Sequence, residues 1–254
     1  MPVENRAGML VSEAKVVGDL TEDEIVAMWD LYSHYYGGTE ETRFRGDLAE
    51  KTDVILSRDE TGTIRGFSTI FVYPTEFESE TIRVIFSGDT IIDHRYWAKN
   101  DFAFAWIRFS ARIKSEAPEI PLFWFLIVKG HRTYRYMGVF GKRYYPAPGW
   151  DTPPRLKRLT DQLAVERFGK DYDATTGLVR FEKSHGHLKS EWAGVTEGAR
   201  RRVEVEFFLD RNPGYARGDE LVCLCEVSEE NMKRITLRLF KEGLGEVPRF
   251  RQTG

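Results

Sequence analysis

Cysteine is scarce in these 254 residues: there are two, Cys223 and Cys225. In an extended segment an i, i+2 pair points to one face and is badly placed to bridge, so no disulfide framework is expected and a reducing, cytoplasmic setting is. A zinc reading of Cys-x-Cys needs two further ligands, and the nearest His-x-His, His185 and His187, lies far off in sequence, so no metal site is expected. An excess of one charge is also missing. Lys and Arg number 37 against 40 Asp and Glu, a formal net charge of -3, whereas nucleic-acid binders carry a basic excess; no nucleic-acid partner is expected. The longest apolar run, Leu122 to Val128, has seven residues, where a membrane-spanning helix needs about 20. Residues 1–20 lack a basic start followed by a continuous apolar segment, so no secretory signal is expected. No repeat or low-complexity tract stands out.

What is present is a chain 41% apolar and 13% aromatic, with 17 Phe, 11 Tyr and 6 Trp, enough for a substantial core in one elaborated unit. Thr21-Glu22-Asp23-Glu24 reads as a capping box. Ile25, Met28, Trp29, Tyr32, Tyr35 and Tyr36 follow at helical spacing, up to Gly37-Gly38. A second helix is expected over 40–49. Strands are expected over 53–57, 64–73 and 81–93, with a turn at 59–62 and a polar loop over 74–79. Asn100-Asp101 caps a helix that stops before Pro118. Residues 122–128 read as a central strand covered on both faces. Helices over 131–140 and 154–168, strands over 177–182, 202–209 and 220–227, and a helix over 228–244 complete the reading. The cluster Pro146, Pro148, Pro153 and Pro154 marks the weakest boundary, between a core of 1–150 and a C-terminal extension of 151–254 that completes the sheet and covers the acceptor side.

Two local motifs and this order point in one direction. Ile91-Ile92-Asp93-His94-Arg95-Tyr96-Trp97-Ala98-Lys99-Asn100 joins an apolar strand end to a helix start, and Tyr134-Arg135-Tyr136-Met137-Gly138 follows the central strand. Together with the aromatic helix and the meander, over roughly residues 10–145, these resemble the GNAT acyltransferase superfamily, in particular members similar to N-acyl amino acid synthases. The resemblance implies an α+β fold: a mixed, largely antiparallel twisted sheet, flanked by helices, whose central strands splay apart. It also implies an enzyme that moves an acyl group from acyl-CoA or acyl carrier protein, as co-substrate, to an amine of an amino acid, metabolite or peptide. The family's glycine-rich phosphate turn is replaced here by Trp97-Ala98-Lys99-Asn100. That turn, with Ile91 and Ile92, is the expected donor site: the helix start offers N–H donors and Lys99 a positive charge.

Acyl transfer to an amine needs a proton acceptor, N–H donors at the developing oxyanion and an acid for the leaving thiolate. Strand alternation puts Ser87, Asp89 and Ile91 on one face, and Asp89 is the first candidate base, against the plainer reading of a turn residue beside Gly88. His131, directly after the central strand, titrates near neutrality and is the second. By the resemblance, Tyr134 is the acid for the thiolate; otherwise it is a core tyrosine. Trp29, Tyr32, Tyr36 and Ser87 are the expected acceptor-site residues. His94 and Arg95 sit at the corner, and Arg200-Arg201-Arg202 with Lys142 and Arg143 form a possible docking patch for an acidic carrier. The aromatics around the meander could line a channel for a medium or long acyl chain. Three alternatives stay open: an ordinary acetyltransferase, a non-catalytic binder of an apolar ligand, and a scaffold whose donor cleft Trp97 plugs.

Overall fold

The computed structural model describes residues 8–97, 99–183 and 185–245; Ala98, one of the expected donor-site residues, lies outside them. Strand β1 (Val11–Val16) leads into helix α1 (Glu22–Tyr35), whose reciprocal Thr21–Glu24 capping box forms as the sequence requires. A two-residue strand β2 (Tyr36–Gly37) and helix α2 (Glu41–Ala49) follow. The meander is β3 (Asp53–Arg58), β4 (Ile64–Phe77) and β5 (Glu80–Ile92). The polar loop expected over 74–79 is instead strand up to a tight turn. Glu78 and Ser79 take left-handed φ of 50° and 67°, the hairpin geometry that matches strand twist, and buried Phe77 anchors the extension.

Next come α3 (Asp101–Glu116), β6 (Leu122–Val128), α4 (His131–Phe140) and α5 (Pro154–Phe168). The last third holds β7 (Tyr172–Asp173), β8 (Leu178–Val179), β9 (His187–Leu188), α6 (Ser190–Ala193), α7 (Glu197–Arg200), α8 (Val203–Arg211), β10 (Glu220–Glu226) and α9 (Arg234–Leu244). Two expectations fail here. The strand over 177–182 shrinks to two residues, and that over 202–209 is helix α8. Its apparent alternation misled, because Val205 and Phe208, three apart, are the buried pair while Val203 is 62% exposed. The C-terminal helix starts at Arg234 rather than 228. Asn100 stands at the N-terminus of α3 without a side-chain cap bond.

The main sheet has the order β1-β3-β4-β5-β6-β10-β8-β7. Every neighbour pair is antiparallel except β5 with β6, so the architecture is the α+β, largely antiparallel one expected. Alternate residues of each strand serve opposite layers. Leu122, Trp124, Leu126 and Val128 of β6, with Leu221, Cys223 and Cys225 of β10, face the layer of α3, α4, α8 and α9. Phe123, Phe125, Val222 and Leu224 face α5, and on the same side Val54, Leu56 and Phe67 meet α1 and α2. Both cysteines are buried and unbridged. Strand β10 makes the C-terminal third part of the same sheet.

Two features open the middle of this sheet. Pairing of β5 with β6 runs from Arg83–Leu122 to Ser87–Leu126 and then ends. On the other edge of β5, Ser68 pairs with Thr90 but Ile70 with Ser87, so Gly88 and Asp89 together oppose Thr69: a bulge, which bends and twists its strand. Glycine is needed there, since a Cβ on Gly88 would sit 2.6 Å from the Thr69 Oγ1 and 2.9 Å from the Lys51 Cε. The strands therefore diverge beyond Ser87.

The α3–α9 contact is close for a related reason. A Cβ on Gly243 would lie 2.7 Å from the Arg108 carbonyl oxygen and 2.8 Å from the Ala111 Cβ. Gly243→Ala is expected to push α9 off α3 and to cost about 1–3 kcal/mol, read as a lower midpoint in urea denaturation.

Candidate active site at the divergence of two strands

The gap between β5 and β6 is flanked by two cavities, one on each side of the sheet. The first, of 670 Å³, lies between the start of α3 and α4. It is lined by Ile91, Ile92, Trp97, Lys99 and Asn100 from the strand end and turn, by His131, Arg132, Arg135 and Tyr136 from α4, and by Ala199 and Arg202 from the last third, among others. Lys99, Arg132, Arg135 and Arg202 give it four cations, and among the described lining residues there is no carboxylate. Burial and the neighbouring Arg135 pull the Arg132 guanidinium below its usual range. Such crowding of like charge favours an anionic ligand. Trp97 is 36% exposed rather than a buried plug: its indole N–H donates to the Ile92 carbonyl at 2.8 Å, and Arg132 lies over its ring at 3.8 Å. Lys99 donates to the Gly8 carbonyl at 2.9 Å.

The second cavity, of 390 Å³, lies on the side of α1, α2 and α5. Tyr32, Tyr36, Lys51, Phe86, Asp89, Lys129, Arg167, His185 and Glu220 line it, with Asp47, Glu50 and Glu166. Tyr36, Thr90 and Thr133 line both cavities, so the two meet at the gap. Burial raises the Asp89 carboxyl above its ordinary range, and Lys129 and Lys51 oppose that. Among the described residues none hydrogen-bonds this carboxylate. Lys129 is tied down: it pairs with Glu220 at 3.2 Å and donates to the His185 carbonyl at 3.0 Å. Burial, with Asp89 and Glu220 close by, raises the Tyr36 hydroxyl far above its ordinary value.

The sequence-derived candidates divide accordingly. Asp89, Tyr32 and Tyr36 line the second cavity; His131, Ile91, Ile92, Trp97, Lys99 and Asn100 line the first. Ser87 does neither: the bulge turns Asp89 to the opposite face, and the buried Ser87 Oγ accepts the Trp124 indole N–H at 2.9 Å. Trp29 packs on Tyr32 and Phe44. Tyr134 is fully buried between α4 and α8, against Phe207 and Phe208, and its hydroxyl donates to the Pro146 carbonyl at 2.8 Å. It is a core tyrosine. The corner is structural too: the Asp93 carboxylate accepts from the Arg95 backbone and guanidinium, while the Tyr35 hydroxyl and the Nδ1 of His94 lie 3.0 Å apart. Phe67, Phe102, Trp106, Phe123, Trp124 and Phe125, among the aromatics around the meander and central strand, fill the core, and Phe86 lines the second cavity. Lys51, Lys129, Arg167, His185 and Glu220 were missed because they come from five separate segments. A lysine and a glutamate at the ends of the two most apolar strands were the only available signal. The last third contributes to both cavities, not to one side.

No family model matches the sequence, nor does any curated protein. Solved structures are similar over about half of the chain. A conserved Enterococcus faecalis protein, described as a probable N-acyltransferase, aligns at 13% identity and a TM-score of 0.40, over 54% of this chain and 33% of its own. A GNAT family N-acetyltransferase from Escherichia coli, in complex with CoA, aligns at 13% identity and 0.37, over 52% and 69%. A Trypanosoma brucei acetyltransferase aligns at 15% and 0.37, over 56% and 98%. The match thus spans one third of the length of the first of these proteins.

Two predictions follow from the buried groups. Tyr134→Phe removes one buried hydrogen bond and is expected to lower stability by about 1 kcal/mol, with ligand binding to the first cavity unchanged in titration calorimetry. Burial, with Arg132 and Arg135 nearby, lowers His131 to about 4, and burial with Arg43 lowers His185 to about 4. Unfolded histidine titrates near 6.5, so the unfolded chain binds more protons. Stability contributed by these two neutral rings is intact above about pH 6.5 and is lost as pH falls toward 4. The double variant His131→Gln, His185→Gln should flatten that part of the stability-pH curve in urea denaturation.

Proposed function

We propose that this chain is a GNAT-type N-acyltransferase, taking an acyl thioester on the α3/α4 side of the sheet and an amine on the α1/α5 side. One observation supports the reading above all: two cavities of different electrostatic character meet through a gap between diverging strands, at Tyr36, Thr90 and Thr133. A closed apolar-ligand binder needs neither the gap nor the charge asymmetry.

In this scheme the acceptor's ammonium loses its proton to Asp89, directly or through water. The free amine attacks the thioester carbon across the gap. Backbone groups of β5 beyond Ser87, left without a partner on β6, face the developing oxyanion. As the C–S bond breaks, the Tyr36 hydroxyl, held protonated by its burial, supplies the proton to the thiolate and regains one from the nitrogen, which sheds its second proton as the amide forms. Neutral His131 serves as a hydrogen-bonding group toward the donor rather than as the base. Of the two donors, acyl-CoA suits the site better, because cations inside the first cavity suit a polyphosphate; exposed Arg200 and Arg201 are the surface a carrier protein would use instead. A medium or long acyl chain would lie against Ile91, Ile92, Tyr136, Val139 and Leu188.

Thermal shift against acetyl-CoA, palmitoyl-CoA and fatty-acyl carrier protein tests the donor. A donor at 100 times its dissociation constant should stabilise the fold by about 2.7 kcal/mol, and no response to any of the three would sink the proposal. Asp89→Asn should reduce kcat by about 100-fold or more while leaving the donor-induced shift intact; an unaltered kcat would remove Asp89 from the mechanism.

A further inference from the structure

The second cavity holds two cations that no carboxylate satisfies. Arg167, near the end of α5, makes no hydrogen bond or ion pair among the described residues; its guanidinium lies over the Phe86 ring at 3.9 Å and beside Phe71 at 5.6 Å. Lys51, just after α2, donates to the Asp47 backbone carbonyl at 2.8 Å and lies 5.9 Å from the centre of the same Phe86 ring. Both are partly buried, and each is driven below its usual range first by desolvation; Arg167 adds to the effect on Lys51. Asp47, Glu50 and Glu166 also line the cavity; Asp47 and Glu50 act on both cations from a distance, but among the described residues no carboxylate forms an ion pair with either. Lys129, by contrast, already has Glu220.

The Phe86 ring and carboxylates acting at a distance offset only part of the cost of holding two like charges partly out of water, and neither cation has a directly paired counterion. A ligand oxyanion would remove that cost, and the flat guanidinium presents a fork matched to a carboxylate. The same cavity presents the Asp89 carboxylate, which no described residue hydrogen-bonds, and the Tyr36 hydroxyl, whose residue also lines the first cavity. The volume of 390 Å³ falls within the about 300–1,000 Å³ of small-molecule sites. The geometry points to an acceptor that is a zwitterion, a small amine bearing a carboxylate, whose anionic group is bound by Arg167 and Lys51 on the Phe86 platform while its amine is directed to Asp89 at the gap. This rests on the acyltransferase reading of the same site. It narrows the acceptor from any amine to amino acids and similar amino carboxylates, ahead of simple polyamines, which would leave Arg167 and Lys51 without an anion.

The test uses the full chain and pairs each amino acid with its decarboxylated amine: phenylalanine with phenethylamine, ornithine with putrescine, glutamate with 4-aminobutyrate, which keeps a displaced carboxylate. Binding is read by thermal shift and NMR line broadening without donor, and KM and kcat with donor. The expected result is at least a tenfold lower Kd or KM for the amino acid of the first two pairs. Arg167→Ala should collapse that ratio to within about twofold, chiefly through KM, and Arg167→Lys should recover part of it. Lys51→Met, which keeps the stem over Gly88, should act in the same direction. Equal or better binding of the decarboxylated amines, an unaltered ratio in Arg167→Ala, or no binding of either class would overturn the assignment. Donor-induced stabilisation, measured separately, tells whether the acyltransferase reading fails with it. Inorganic phosphate and taurine serve as further probes; if these bind Arg167 in preference to any carboxylate, the anion recognised is not a carboxylate and the amino-acid assignment is wrong.

Discussion

Everything in the candidate site depends on one pairing that stops short. Strands β5 and β6 are the one parallel pair of the main sheet, and their ladder ends at Ser87 and Leu126. Beyond that point β5 carries the bulge at Gly88-Asp89, a feature that bends its strand, while β6 remains paired with β10 through Val128. A sheet interior normally leaves no room for a ligand, because each backbone polar group must find a partner. Here two strand edges that no longer pair with each other face a gap that communicates with both sides of the sheet.

The gap separates two electrostatic environments. On the α3/α4 side four cations line the cavity without a carboxylate among the described residues; on the α1/α5 side acids and bases alternate around Asp89 and the Lys129–Glu220 pair. The sheet is the wall between them. Its core residues, such as Phe125 and Leu126 on opposite faces of β6, keep the wall dry up to the point where the ladder ends. The same divergence thus sets where two molecules could meet and which charges each would encounter.

Much of the fold was legible because its signals are local. The capping box at Thr21–Glu24, the apolar run over 122–128 and the glycine-ended helix over 154–168 each follow from a few adjacent residues. Residues 202–209 were misread because Val203, Val205 and Phe207 alternate with acids, a pattern that fits a strand until Phe208, not Phe207, proves to be the buried ring. In the site, Asp89 and the strand end at Ile91-Ile92 could be placed from sequence, since they adjoin recognisable apolar stretches. Ser87 could not, because one inserted residue inverts the alternation that strand reasoning relies on. Tyr134 was misassigned because the spacing from Tyr134 to Gly138 is silent about which side of α4 each tyrosine takes: Tyr136 lines the first cavity, and Tyr134 is locked against α8. Arg167 and Lys51 were invisible, since only the folded chain sets them on one phenylalanine ring.

The pairing of β10 with β6 has a bearing on how the molecule is made. During synthesis β6 emerges long before Leu221 to Glu226, which later cover its second edge. Through that interval the most apolar strand of the chain carries an open edge, the kind of surface that invites intermolecular strand addition. The sheet closes around its centre only when β10 pairs, after the residues between Val128 and Glu220 have been made. Loop closure over such a separation slows folding without penalising the final stability to the same degree. A ribosome-bound fragment ending before β10 would therefore hold a meander and helices but neither a finished sheet nor a site.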